Sequence, residues 1–179
     1  MAARLIKEKG VLDFVEAANR LYKNKVRVRM QLIGEPDYGN PSSITEAEFE
    51  KIKCNPALEC LGFQPNVQPF FQKAHICCLP SFYREGLPRV LVEAVSSGLA
   101  IITTDTIGCK EVIRDNNGFL IPPHNVDHLV RSITFLVNHP LELRTMGKKS
   151  REIALRYFDT ELICKKTFDI MKTLSTGSN

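Results

Sequence analysis

The stretch from residue 75 to 103 constrains the fold most. It reads HICCLP, a short polar turn, EGLPRVLVEAVSSG and then LAIITT. Residues 75–79 form an unbroken apolar run, the pattern of a strand buried on both faces. Leu87, Val90, Leu91, Ala94 and Val95 then recur at i, i+3, i+4, i+7 and i+8, which predicts one apolar stripe of a helix packed on a sheet. That helix is expected to start near Leu87 or Pro88, because proline at the first helical position gives up only an N–H that would have had no partner. A further apolar run at 99–103 follows at once. Strand, helix and strand over so short a distance require two parallel strands joined by a crossover helix.

The rest of the chain repeats the unit. Residues 1–10 read as the end of a strand and a turn, with Gly10 admitting the chain closely into a helix at 11–22. Val11, Phe14, Val15, Ala18, Leu21 and Tyr22 make the buried face of that helix. No full strand fits before Arg4, so the natural protein is expected to continue upstream of Met1. Strands are predicted at 26–34, 58–61 and 118–121, and helices at 67–73, 125–137 and 141–156, the last primed by Pro140. The loop at 35–43, rich in Pro, Asp, Gly and Asn, is longer than a minimal connection and is expected to overhang the site. Ser42 or Ser43 is expected to cap a helix at 45–53. Asp159 or Thr160 should cap a final helix reaching about residue 174, with STGSN a disordered tail. The fold class is therefore α/β, a three-layer αβα Rossmann-like parallel sheet forming one domain over 1–179.

Composition narrows the function classes. The 179 residues carry a formal net charge of +4, compatible with phosphate ligands or an anionic membrane surface and too weak to argue for nucleic acid. No apolar run approaches the roughly 18 residues that span a bilayer. The six cysteines include no C-x-x-C pair, and adjacent Cys77 and Cys78 point to opposite faces of a strand; all are read as reduced thiols of a cytosolic protein. The four histidines are scattered, with no pair at metal-ligand spacing.

Folds of this kind bind ligands beyond the carboxyl ends of their strands. Arg4, Gly34, Phe63 and the segments 81–87 and 105–111 all follow predicted strand ends. Glu85 and Glu93 bracket the start of the helix after residue 88, with Glu93 roughly 7 to 8 Å along its axis. Free backbone amides and the helix dipole favour an anion between them. That arrangement suits a sugar diphosphonucleotide, its diphosphate on the amides and its hydroxyls on the carboxylates. The plain alternative for Arg89 and Glu93 is an i, i+4 ion pair on a solvated face.

Three elements, ARLIKEKG, LPSFYREGLPRVLVEA and GCKEV, together resemble the donor-binding half of retaining family 4 (group 1) glycosyltransferases of the GT-B fold. The forms GEPDYGNPSSI and LPSFYREGLPRVLVEA are most similar to enzymes that extend polyprenyl-diphosphate-linked sugars in surface polysaccharide or O-antigen assembly. The resemblance implies that Arg4 and Lys9 neutralise the donor diphosphate and that residues 62–67, with Phe63, bind the base beside Gly34. It implies that Gly86 and Leu87 shape the phosphate end, that Glu85 is the catalytic residue contacting the transferred sugar, and that Glu93 anchors ribose. It further implies a UDP-hexosamine or UDP-hexose donor, no metal and no cofactor, and an N-terminal acceptor domain absent from this chain. The acceptor would be a lipid-linked saccharide, reached by a cytoplasmic protein touching the inner membrane face peripherally. Two other functions stay open: a sugar-nucleotide 2-epimerase, and a non-catalytic nucleotide-binding module.

Overall fold

In the computed structural model, which describes residues 1–84 and 86–176, helices and strands alternate as the sequence demands. The first half comprises α1 (Val11–Lys23), β1 (Gln31–Leu32), α2 (Glu46–Lys53), β2 (Glu59–Cys60) and α3 (Gln68–Phe71). The second comprises β3 (Ile76–Leu79), α4 (Arg89–Ser96), β4 (Ala100–Thr104), β5 (Gly118–Ile121), α5 (Val126–Asn138), α6 (Pro140–Tyr157) and α7 (Thr160–Thr176). Short 3-10 turns, Lys7–Lys9 and Cys109–Val112, precede α1 and follow β4.

Among the described residues every pairing between the named strands is parallel, but the strands form two ladders where one continuous sheet was expected. Gln31 lies opposite Glu59 in one; Ile76 lies opposite Ala100, and Ile101 opposite Gly118, in the other. The opening residues run alongside β1. The Met1 amine donates to the Gln31 carbonyl at 2.8 Å, and the Ile33 amide donates to the Met1 carbonyl at 2.9 Å. Gly34 permits this approach: its φ is 136°, and a Cβ there would lie 1.9 Å from the Ala3 carbonyl oxygen. Between the ladders, at the amino ends of the strands, lies a slot of about 1050 Å³ lined by Met1, Arg29, Gln31, Ile76 and Cys78 among others. Of the strand expected at 26–34 only Gln31–Leu32 is regular ladder, and Arg27, Val28, Arg29 and Met30 line this slot instead.

The core sits on β4, all five of whose residues are buried. Cys77 and Cys78 are 2% and 4% exposed although they face opposite ways, which shows the sheet covered on both sides. Burial pushes their thiols up to about 11 and about 12. All six cysteines are free. Helix α1 packs on α5, and α4 on α6.

Several boundaries moved for local reasons. Helix α4 begins at Arg89 because Pro88 is its N-cap, with extended ψ of 119°; Leu87 therefore lies ahead of the helix and stays 41% exposed, leaving Leu91, Ala94 and Val95 as the buried stripe. On α1, Ala17 joins the buried face and Tyr22 does not, being 61% exposed. Thr45, rather than Ser42 or Ser43, caps α2: its hydroxyl accepts from the Glu48 amide while the Glu48 carboxylate accepts from the Thr45 amide, a reciprocal capping box. Asp159 accepts from the Leu162 amide at 3.1 Å and starts α7. That helix includes residues 175 and 176, so the disordered tail expected from residue 175 does not begin there, and 177–179 lie outside the described residues. Among the described residues no helix is long and apolar enough to cross a membrane.

Candidate functional site

The loops at the carboxyl ends of the strands are tied to one another through backbone groups. Gly10 closes the Lys7–Lys9 turn with φ 73°, and a Cβ on it would sit 2.1 Å from the Pro80 carbonyl oxygen, so this turn rests directly on the end of β3. The Glu8 carbonyl accepts three hydrogen bonds: from the Phe82 amide at 2.8 Å, the Tyr83 amide at 3.1 Å and the Ser81 hydroxyl at 3.1 Å. The Ser81 carbonyl accepts in turn from the Thr104 hydroxyl and, at 3.4 Å, from Thr106 at the end of β4. The Lys7 amide donates to the Ser42 carbonyl at 2.8 Å, and the Gly34 amide to the Gly62 carbonyl at 2.8 Å. Five loops therefore make one rim.

On this rim Lys9 is only 8% exposed, with its ammonium 5.4 Å from the centre of the Tyr83 ring. Arg4 is outward, its side chain 59% exposed, and holds Asp37 at 2.8 Å. Phe63 is 65% exposed, directly after Gly62. The Ser42 hydroxyl donates to the Glu8 carboxylate and, with a backbone amide, holds that carboxyl below its ordinary range.

The expected helix-start site is present in outline. Helix α4 carries no side-chain cap, and its first bond is donated by the Leu91 amide to the Pro88 carbonyl at 3.0 Å; the Arg89 and Val90 amides stand ahead of it. The free amides thus lie two residues, about half a turn, later than a helix starting at Leu87 would place them. Space around Gly86 is open, with nothing within 4 Å of a Cβ there. Glu93 takes the ion-pair arrangement: Arg89 Nε donates to its Oε1 at 2.8 Å, with the Glu93 side chain 36% exposed. Glu85, expected as the catalytic residue, lies outside the described residues. Lys110 and Glu111 pair locally, with Asp105 and Arg114, each at 3.7 Å. The slot of about 1050 Å³ lies at the other end of the strands, lined by none of the expected donor residues.

Several contributors carried no side-chain signal. Glu8 works through its carbonyl, which every residue type possesses. Asp37 sat in a loop whose composition spoke only of turns. His124 adopts φ 57° and lies against Phe82, the ring centres 4.1 Å apart and the planes tilted by 48°. Its Nδ1 lies 3.7 Å from Asp13 Oδ2, beyond hydrogen-bond reach, and burial raises the Asp13 carboxyl above its ordinary value.

Parallel strands covered on both faces, with a backbone-rich rim at their carboxyl ends, define a Rossmann-like α/β domain. Over residues 1–153 the sequence matches the family described as glycosyl transferases group 1, and the chain belongs to that family. It is 31% identical over 167 residues to the N,N'-diacetylbacillosaminyl-diphospho-undecaprenol alpha-1,3-N-acetylgalactosaminyltransferase of Campylobacter jejuni, covering 93% of this chain and 42% of that protein. Among solved structures it superposes on Anabaena Alr3699/HepE in complex with UDP with a TM-score of 0.82 at 23% identity, over 97% of this chain and 47% of that one. It also superposes on the C-terminal domain of the group 1 glycosyl transferase LpcC from Francisella tularensis, with a TM-score of 0.72 at 20% identity, over 89% of this chain and 84% of that one. The chain thus spans less than half the length of the full-length relatives and most of the isolated C-terminal domain.

Proposed function

We propose that this chain is the donor-binding half of a retaining glycosyltransferase that moves a sugar from a UDP-hexosamine or UDP-hexose to a lipid-linked saccharide during surface polysaccharide assembly. The observation that carries the reading is the group 1 family match running unbroken from before Arg4 to well past Glu93. The diphospho-undecaprenol acceptor in the name of the Campylobacter relative supports the acceptor class, and the UDP held by HepE supports the donor class.

On this reading Arg4 and Lys9 balance the diphosphate charge without a metal, and the Arg89 and Val90 amides receive phosphate oxygens at the start of α4. Gly34 and Phe63 flank the base, while Gly86 and Leu87 leave room for the phosphates. Glu93 anchors ribose: Arg89 takes one carboxylate oxygen and leaves the other to accept hydroxyls. Glu85 contacts the transferred sugar and stabilises its developing positive charge. The acceptor is held by a second domain, N-terminal to this one, in a cytoplasmic protein that meets the membrane peripherally.

The test is a titration of residues 1–179 with UDP beside a transfer assay with a lipid-diphosphate-linked sugar. Weak UDP binding without transfer is expected, because positioning the acceptor supplies on the order of 7 to 11 kcal/mol of barrier reduction. Absence of UDP binding refutes the donor assignment, and robust transfer by this chain alone refutes the placement of the acceptor site.

A further inference from the structure

Arg4 is not free to point anywhere, and the reason lies in the loop at 35–43. This loop is stitched to the segment that carries Arg4. The Leu5 amide donates to the Glu35 carbonyl at 3.0 Å near one end, and the Lys7 amide to the Ser42 carbonyl at 2.8 Å near the other. Between these anchors the Asn40 amide donates to the Asp37 carbonyl at 2.7 Å, and the Asn40 side chain accepts from the Ser42 amide at 2.9 Å. Asp37 is therefore the first residue of a closed turn, and its carboxylate meets Arg4 Nη1 at 2.8 Å with side-chain exposures of 35% and 59%. Exposed ion pairs between two freely rotating chains contribute little. Here the backbone of the shorter partner is already fixed by the turn, so the pair mainly orders a single long side chain, and the guanidinium keeps its remaining N–H groups for another anion.

We propose that Asp37 is a positioning residue, orienting the Arg4 guanidinium toward the diphosphate of a nucleoside diphosphate ligand. This rests on the donor-site reading of Arg4 given above. Fixing the donor group before the ligand arrives removes part of the ordering entropy of binding. Repulsion between the Asp37 carboxylate and the diphosphate is damped by water at this exposure.

The experiment is an NMR titration of the wild-type chain, Arg4→Ala, Asp37→Ala and the double variant with UDP and with uridine, which lacks the diphosphate. Asp37→Ala is expected to weaken UDP 3- to 10-fold, to leave uridine unchanged and to add nothing in the Arg4→Ala background. Equal losses for UDP and uridine would make the loop merely structural and overturn the proposal. So would tighter UDP binding by Asp37→Ala, which would make Asp37 a competitor for Arg4. An Arg4→Ala loss with no Asp37→Ala loss overturns the positioning role and spares the donor-site reading; no loss in Arg4→Ala overturns both.

Discussion

Replacing Asn117 by alanine should remove the polar clamp behind the Cys109–Val112 turn. Asn117 is fully buried. Its amide nitrogen donates to the Val112 carbonyl at 3.0 Å and the Ser150 hydroxyl at 3.1 Å, and its oxygen accepts from the Arg114 amide at 2.9 Å. Three hydrogen bonds at about 1 kcal/mol each give a net loss of about 3 kcal/mol, since alanine leaves their partners with no replacement in a dry site. For a chain of this size that corresponds to a fall in melting temperature of roughly 6–12 °C. Ser150→Ala removes one of the three and should lose about 1 kcal/mol, less than additive with Asn117→Ala because the two share a bond. Urea unfolding followed by circular dichroism measures all three variants. A change below about 0.5 kcal/mol in Asn117→Ala, the range of an ordinary surface substitution, would refute the reasoning: the three bonds would then not be holding the turn to α6.

Gly10→Ala forces φ 73° on a residue with a Cβ and drives that carbon toward the Pro80 carbonyl. A loss of at least about 1–2 kcal/mol is expected from the backbone term alone, with amide shifts at Phe82 and Tyr83 in NMR; unchanged shifts would mean the turn does not bear on the 80–83 loop. The Glu8 carboxyl titrates below its ordinary 4.5 in the fold, so the unfolded chain binds the proton first and this contribution to stability, full above that pH, is lost as pH falls through the depressed value. Ser42→Ala, which removes the main cause of the depression, should flatten the acid limb of stability; an unaltered limb in acid-unfolding curves would contradict it. Glu93→Ala should weaken UDP binding by about 1.5–3 kcal/mol, whereas Glu85→Ala should lower turnover of the full-length enzyme more than UDP affinity. Equal affinity losses measured by calorimetry would refute that division of roles.

The α/β alternation was legible because apolar runs at 75–79 and 99–103 and the stripe on α4 answer to one physical demand, burial against a sheet. The extent of β1 was not, because a strand's regular length depends on what lies beside it, and residues 27–30 line the slot. The helix cap at Thr45 is written in the sequence as Thr-x-x-Glu, but Ser43 and Glu46 repeat the same spacing two residues earlier, so the pattern alone does not single out Thr45. Arg89 and Glu93 admitted two readings at the same spacing, and the structure shows the ion pair, which leaves one carboxylate oxygen for the other reading. The rim's position was legible from the loops that follow the strand ends; how those loops are tied together was not, for a chemical reason. Their main junction is the Glu8 carbonyl, and a main-chain acceptor leaves no mark on residue type.

The same junction also joins the two ladders. The β1–β2 ladder and the β3–β4–β5 ladder are fastened to each other at the rim by the Glu8 carbonyl and the loop bonds around it, while their far ends stand apart across the slot. A ligand held among the rim loops therefore rests where the two ladders are fastened to each other, on the side away from the slot.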